Sequence, residues 1–263
     1  MTAPQPDLRI VPTDALLPHE EHDSQRAKPL GDRLQHEAFM INPPVVAPEG
    51  DSFVILDGAN RFHAFSHLGY PHILVQVASY QRGWVELGTW SHVVGGWSSQ
   101  ALLEQAEQLD GVKLVGGAHG GAFAAIVLPD GDEVALLGDR AHAAAHVRDF
   151  VALYQRQAAL HRTAIGDSSG LWSLYPDACA VVRFPSLKPQ DIMHAALTRD
   201  FLPPGVSRHI VHGRAVRVNY PMDALRQAGS LEAKNDALQQ WVHTKLANRQ
   251  IRYYAEATYQ FDE

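Results

Sequence analysis

The sequence predicts a mixed α/β (α+β) protein, with a small N-terminal α/β module at residues 1–83 and a larger mixed α/β domain at residues 84–263. Two observations carry this. Up to about residue 80, short β-branched or apolar runs alternate with helical spacings in the order strand, loop, helix, strand, strand, helix, strand. After Gln81-Arg82-Gly83 the pattern changes to an amphipathic helix, a hairpin and long helical stretches. With 46% apolar and 19% charged residues among 263, the chain can fill one large core or two small ones.

The elements follow in order. Leu8 to Val11 reads as a strand, and Asp14 to Asp23, polar and holding Pro18, as a loop. Pro29 suits the first turn of a helix, continued by Leu30, Leu34 and Ala38. Asn42-Pro43-Pro44 ends it. Val45-Val46 and Phe53 to Leu56 flank the turn residues Pro48, Glu49 and Gly50 as a strand pair. Asp57-Gly58 stops the second of these strands. Asn60 to Leu68 is a helix, with Gly69 as its C-terminal cap, and Ile73 to Val77 is a strand.

Further on, Gln100 to Leu109 reads as an amphipathic helix, and Ala122 to Leu128 with Glu133 to Leu137 as a hairpin about Pro129-Asp130-Gly131. Arg140 to Thr163, rich in alanine, reads as one long helical stretch. Cys179 to Phe184 is a strand, Pro189 to Leu197 a helix, Phe201 to Ser207 a loop, Ile210 to Tyr220 extended, and Leu231 to Ala247 a last helix.

Composition narrows the function. A formal charge of −7 argues against broad contact with nucleic-acid phosphates, which calls for a basic face, so no nucleic-acid partner is expected. The single cysteine, Cys179, permits neither an intrachain disulfide nor a four-cysteine zinc site and suits a reducing compartment. Met1 to Asp7 is polar and lacks the apolar core of a signal peptide. No apolar run approaches the roughly 20 residues that span a bilayer. The expectation is a cytoplasmic protein with no membrane partner.

Four segments could carry chemistry. Asp57-Gly58-Ala59-Asn60-Arg61 ends a strand, turns on glycine and begins a helix with an arginine in its first turn. Helix N-termini present unpaired N–H groups, and a guanidinium adds a two-pronged contact, so the segment suits an anion; it would equally suit a plain Asp-Gly turn. His19-Glu20-Glu21-His22 has histidines three apart in a loop rather than four apart on a helix, which discounts zinc. Its carboxylates could act as a general base on a hydroxyl, or the loop could simply be acidic and solvated. Trp90 and His92 share one face of a strand, as a pocket wall or as core. Pro203-Pro204-Gly205-Val206-Ser207-Arg208-His209 delivers a hydroxyl, a guanidinium and an imidazole together, to hold a carboxylate or phosphate or to serve as a surface connection.

Taken in order, these pieces resemble one family. The His-Glu loop, the helix, the Pro-Pro strand entry and the strand ending in Asp-Gly-x-x-Arg resemble the ParB/sulfiredoxin fold. Adding Trp-x-His and Pro-Pro-x-x-Ser-Arg-His makes the chain similar to the free serine kinases, over about residues 8 to 92 and 181 to 225. The resemblance implies a kinase that moves a phosphoryl group from ATP or ADP to the hydroxyl of L-serine, with Mg²⁺, giving O-phospho-L-serine. It implies Glu20 as the base, with Glu21 as rival, and Asp57 near the transferring phosphate and Mg²⁺ or holding substrate. Gly58, Asn60 and Arg61 would cradle nucleotide phosphates. Trp90, His92, Ser207, Arg208 and His209 would form the amino-acid pocket, in a cleft between the module and the rest of the chain. Family members often carry histidine where this chain has Ala59 or Asn60, and threonine where it has Ser207.

Three other readings compete. A ParB-like, nucleotide-dependent DNA-binding protein predicts a helix-turn-helix after the module and a basic face, whereas residues 85 to 140 read as strand-rich. A sulfiredoxin-type reductase needs a cysteine beside the Gly-x-x-Arg turn, and none is there. A kinase for another small hydroxylated amino acid, or a non-catalytic binding protein, keeps the fold and changes the task; one methylene more or less is worth only about 1–3 kcal/mol in a pocket.

Overall fold

Strand β1 (Asp7–Pro12) alternates exposed and buried residues from Asp7 to Ile10 and then buries Val11 as well, so Leu8, Ile10 and Val11 are all buried. A short 3-10 turn leads to β2 (Leu16–Pro18), then α1 (Ser24–Leu34), β3 (Phe39–Met40), β4 (Val45–Glu49), β5 (Ser52–Asp57), α2 (Ala59–His67) and β6 (His72–Val77). The structure is a computed structural model, and it describes residues 5–22, 24–139, 142–164 and 170–254. Five strands form one sheet in the order β1-β6-β4-β5-β2. The β1–β6 and β4–β5 pairs are antiparallel, and β4–β6 and β2–β5 are parallel. The β-branched Val46, Val54, Ile55, Ile73 and Val75 are almost wholly buried in this sheet, as strand propensity and a two-sided core require.

The chain continues as β7 (Val85–Thr89), β8 (Ser91–Gly95), α3 (Ser99–Glu107), β9 (Lys113–Gly116), β10 (Ala124–Val127), β11 (Glu133–Leu137), α4 (Ala143–Gln155), β12 (Ala159–Thr163), α5 (Leu171–Leu174), β13 (Ala178–Arg183), α6 (Pro189–Thr198) and β14 (Ser207–Val211). A second sheet runs β12-β8-β13-β10-β11-β9, with antiparallel neighbours throughout. One face buries Val94, Ile126, Leu136 and Val182 against Leu102 of α3 and Phe150 and Tyr154 of α4. Ser98 caps α3 by accepting from the Ala101 N–H, and Asp191 accepts from the Lys188 N–H at the start of α6.

The last elements, β15 (Tyr220–Pro221), α7 (Met222–Arg226) and α8 (Leu231–Ala247), return to the first sheet. Tyr220, Met222, Leu225, Leu238 and Val242 share a core with Ile10, Met40, Phe65 and Leu74. The Asn235 side chain of α8 meets β1 as a strand would: its Oδ1 accepts from the Ile10 N–H (2.9 Å) and its Nδ2 donates to the Ile10 carbonyl (2.8 Å).

Two compact units result. One comprises Met1–Pro18, His22–Glu86 and Ile210–Glu263; the other comprises His19–Glu21 and Leu87–His209. The expected module of residues 1–83 thus corresponds to part of a unit that also takes the C-terminal helices, and the His19–Glu21 segment belongs with the second unit.

The elements differ from expectation at several places. Leu16–Pro18, inside the expected loop Asp14 to Asp23, is strand β2 on the edge of the first sheet, and helix α1 stops at Leu34, short of Ala38. Helix α1 begins at Ser24, so Pro29 lies inside it rather than in its first turn. The stretch Arg140 to Thr163 is not one helix: α4 ends at Gln155 and Ala159–Thr163 pairs with β8, so cross-strand pairing overrides the helical preference of an alanine-rich run; residues 140 and 141 lie outside the described residues. Finally, Ile210 to Tyr220 is not continuously extended; only Ser207–Val211 and Tyr220–Pro221 are strand. Among the described residues no helix is long and apolar enough to cross a membrane.

Candidate active site

In the first unit, β5 ends at Asp57, and Gly58 takes a left-handed conformation (φ 97°) as the N-cap of α2. A β-carbon at Gly58 would lie 2.9 Å from Arg61 Nη1 and 3.0 Å from Pro44 Cα, so glycine is required by both conformation and space. The first turn of α2 holds Asn60 and Arg61 where N–H groups lack intrahelical acceptors. Arg61 is half-buried, and its Nη1 is buried without a hydrogen-bond partner.

Sequence reasoning missed the residue that completes this cluster. Arg214 Nη2 donates to Asp57 Oδ2 at 2.7 Å, and Arg214 Nη1 is also buried without a partner. Burial pulls the Arg214 guanidinium below its ordinary range; Asp57 opposes this and Arg61 adds to it. Arg61 is lowered likewise, by burial first, with Asp57 opposing and Arg33 adding. Arg33 is itself paired with Glu37 at 2.9 Å. Two guanidinium groups therefore share one carboxylate and keep N–H groups to spare, an arrangement suited to an oxyanion.

Gln76 of β6, only 4% exposed, holds the chain on both sides of Arg214. Its Nε2 donates to the Gly213 carbonyl (3.0 Å) and its Oε1 accepts from the Ala215 N–H (2.8 Å). Gln76 and Gly213 also line a pocket of about 300 Å³ together with Arg9, Arg82, Trp84 and His212. On α2, His63 leaves Nε2 buried without a partner, with the His22 ring 4.7 Å away; burial and His22 lower its pKa.

In the second unit, the His19–Glu21 segment runs beside the proline loop. Leu202 N–H donates to the His19 carbonyl (3.0 Å), and Glu21 N–H to the Leu202 carbonyl (2.9 Å). Glu20 Oε2 accepts from the Gly205 N–H at 3.3 Å, whereas Glu21 is exposed. His19, 2% exposed, bonds Ser207 Oγ at 2.8 Å and lies edge-on to His209, with ring centroids 5.3 Å apart. Arg208 stacks over Trp90 at 4.8 Å, and the Trp90 N–H donates to the Val206 carbonyl at 3.0 Å.

His92 has no exposure, and both ring nitrogens are engaged. Its Nε2 faces the Gly205 carbonyl at 2.8 Å, which can only accept. Nε2 therefore carries the proton, and Nδ1 accepts from Tyr154 O–H at 2.7 Å. Burial lowers the His92 pKa to about 4, with the Gly205 carbonyl opposing and Arg162 adding, so the ring is neutral near pH 7. His92 and Arg162 face each other across the β8–β12 pair. Arg162 Nη2 donates to the Pro204 carbonyl at 2.9 Å. Gly205 (φ 82°) has Arg162 packed where a side chain would go.

The structure thus gathers Asp57, Gly58, Asn60 and Arg61 within the first unit. It gathers Glu20, Trp90, His92, Ser207, Arg208 and His209 within the second. Arg214, Gln76, His19, Arg162 and Gly205 join them. His19 entered the sequence reading only as a discarded zinc ligand, and nothing in the spacing marked Arg214 or Gln76, which depend on contacts across more than a hundred residues. Among the described residues no three or more His, Cys, Asp and Glu side chains are gathered to hold a metal ion.

No protein-family model matches the chain. It is 23% identical over 258 residues to the ATP-dependent L-serine kinase SbnI of Staphylococcus aureus, covering 96% of both chains. An ATP-dependent L-serine kinase of Staphylothermus marinus is 31% identical over 107 residues, which span 40% of this chain and 42% of that relative. The structure of C-terminally truncated SbnI matches at a TM-score of 0.77 and 21% identity, over 91% of this chain and 97% of that one. The chain has the free serine kinase fold. A free serine kinase in complex with AMP shares it at a TM-score of 0.71 and 15% identity, over 86% of this chain and 97% of that one. The ParB-like reading expects a helix-turn-helix past the module; in the free serine kinase fold adopted here, the segment from β7 to β11 contains α3 as its one helix among the described residues.

Proposed function

We propose that this protein is a kinase that transfers a phosphoryl group from ATP or ADP to the hydroxyl of free L-serine, giving O-phospho-L-serine. The observation that carries the reading is the likeness to an ATP-dependent L-serine kinase along 96% of both chains, which includes both clusters of candidate residues. Both curated relatives are named ATP-dependent, which favours ATP as donor.

In this reading Glu20 is the general base. It takes the proton of the serine hydroxyl as the serine oxygen bonds to the terminal phosphorus and the bond to the bridging oxygen breaks. The nucleotide leaves one phosphate shorter. The Gly205 N–H fixes the Glu20 carboxylate, and the greater exposure of Glu21 favours Glu20 for the role. Ser207, Arg208, His209 and Trp90 hold the amino acid, while His92, sealed on both nitrogens, shapes the loop. Gly58, Asn60 and Arg61 bind phosphate oxygens through the α2 N-terminus and the guanidinium. Asp57 is half-exposed, with one carboxylate oxygen on Arg214, and fits the one-carboxylate-plus-phosphates habit of Mg²⁺. Bound there, Mg²⁺ would supply charge neutralisation on the phosphates.

The test is incubation of the protein with L-serine, MgCl₂ and ATP or ADP, read by phosphorus NMR, beside Glu20→Ala and Glu21→Ala. Phosphoserine from wild type and Glu21→Ala, but not from Glu20→Ala, is the expected result. Loss in Glu21→Ala alone moves the base. No product with either donor from serine, threonine or homoserine overturns the reading.

A further inference from the structure

We propose that Arg214 is a second phosphate-binding arginine, acting with Arg61 on the phosphate chain of a nucleotide, and that Gln76 is the positioning residue that aims it. The anion site rests on geometry; naming its ligand as the phosphoryl donor rests on the kinase reading above.

If Arg214 served only to pair with Asp57, the pair would be neutral and locally complete. Instead Asp57 faces two arginines. Each retains a buried Nη1 with no partner, in a protein class where buried polar atoms are nearly always bonded. Arg33 does not change the balance, because Glu37 holds it. Arg61 lowers the proton affinity of Arg214, and Asp57 opposes the effect of burial on both, which places the two guanidinium groups about one carboxylate. Two cations sharing one anion leave a net positive charge beside the first turn of α2, and the missing partner is a group with several acceptor oxygens.

Gln76 gives the arrangement its rigidity. A buried amide that bonds the carbonyl before Arg214 and the N–H after it fixes the backbone on both sides, as a neighbouring strand would. Downstream, Asn42 Oδ1 accepts from the Arg217 N–H (2.9 Å) and the Ile41 carbonyl from the Val218 N–H (2.8 Å), so the segment is tied on past the arginine. Gln76 touches no ligand in this scheme; it acts through Arg214.

The experiment is calorimetric titration with ADP, inorganic tripolyphosphate and adenosine against wild type, Arg214→Ala, Arg214→Lys, Gln76→Met and the Arg214→Ala/Gln76→Met double variant. Loss of a charge-assisted contact predicts that Arg214→Ala binds ADP and tripolyphosphate about 10- to 100-fold more weakly and adenosine unchanged. Arg214→Lys, which keeps the charge, should fall between and covers the case in which the alanine variant fails to fold. Gln76→Met, which removes both amide bonds without adding charge, should lose less than Arg214→Ala, and the double variant no more than Arg214→Ala alone. Wild-type ADP affinity in Arg214→Ala overturns the proposal, as does an equal loss for adenosine, which would mark a structural role. Additive losses in the double variant remove the positioning role of Gln76. Tripolyphosphate binding that depends on Arg214, without phosphoserine formation, keeps the anion site and discards the kinase reading. Phosphoserine formation with ADP binding indifferent to Arg214 does the reverse, and wild type that binds neither polyphosphate overturns the site itself.

Discussion

Replacing Gly205 by alanine should damage both the stability and the chemistry of the second unit, and the cost can be worked out from its surroundings. At φ 82° a non-glycine residue costs about 1–2 kcal/mol. The new β-carbon would stand 2.0 Å from Arg162 Nε and 2.2 Å from its Cζ, so the guanidinium must move. Moving it breaks the 2.9 Å bond to the Pro204 carbonyl, and bonds from charged donors are worth about 1.5–3 kcal/mol. Together this is about 2.5–5 kcal/mol, or about 5–20 °C of thermal midpoint for a chain of this size. The Gly205 N–H also holds Glu20, so phosphoserine formation at 25 °C should fall while KM for the nucleotide stays put. Differential scanning calorimetry of Gly205→Ala, Arg162→Ala and the double variant separates the contributions. With Arg162 already trimmed, adding the methyl should cost only the backbone share. A midpoint within about 2 °C of wild type, or an equal cost with and without Arg162, would refute the reasoning.

Two further outcomes follow from the same geometry. His92 titrates at about 4 in the fold and near 6.5 when unfolded. The unfolded chain therefore binds the extra proton between those values, and stability falls as pH drops from about 6.5 to about 4, by up to about 3 kcal/mol. Urea unfolding at pH 7 and pH 5 should show a smaller difference for His92→Gln than for wild type, the remainder belonging to other groups such as His63 and His72. Gly58→Ala should weaken ADP binding, because its methyl meets Arg61 Nη1 and the unyielding backbone of Pro44; unchanged ADP affinity by calorimetry would remove Gly58 from the site.

What the sequence revealed depended on how local the causes were. Asp57 to Arg61 was legible because strand, left-handed glycine and helix start lie within five consecutive positions. Helix α8 was read with its ends at Leu231 and Ala247, and the structure adds that Ser230 caps it by accepting from the Ala233 N–H. The strand Ala159–Thr163 was hidden because its partner, β8, lies some seventy positions upstream, and alanine-rich neighbours spoke for helix. Arg214 and Gln76 were hidden for the same reason: each looks like an ordinary surface or strand residue until the fold sets one against the other. His92 was noticed as a pocket residue, and only its two bonded nitrogens show that it works from behind the loop.

The Asn235–Ile10 contact has a consequence for how the protein is made. Strand β1 lies at the margin of its sheet, and on its open side Asn235 satisfies one residue's backbone from a position 225 residues later in the chain. A ribosome adding about 5–20 residues per second delivers that cover roughly 10–45 seconds after β1 emerges. From the time β6 pairs with β1 until Asn235 arrives, the nascent chain carries an uncovered strand margin, the kind of surface on which neighbouring chains pair and precipitate. Successful production of this protein therefore turns on what shelters its first strand during synthesis, and a cell that slows translation of the last fifty residues lengthens the exposure.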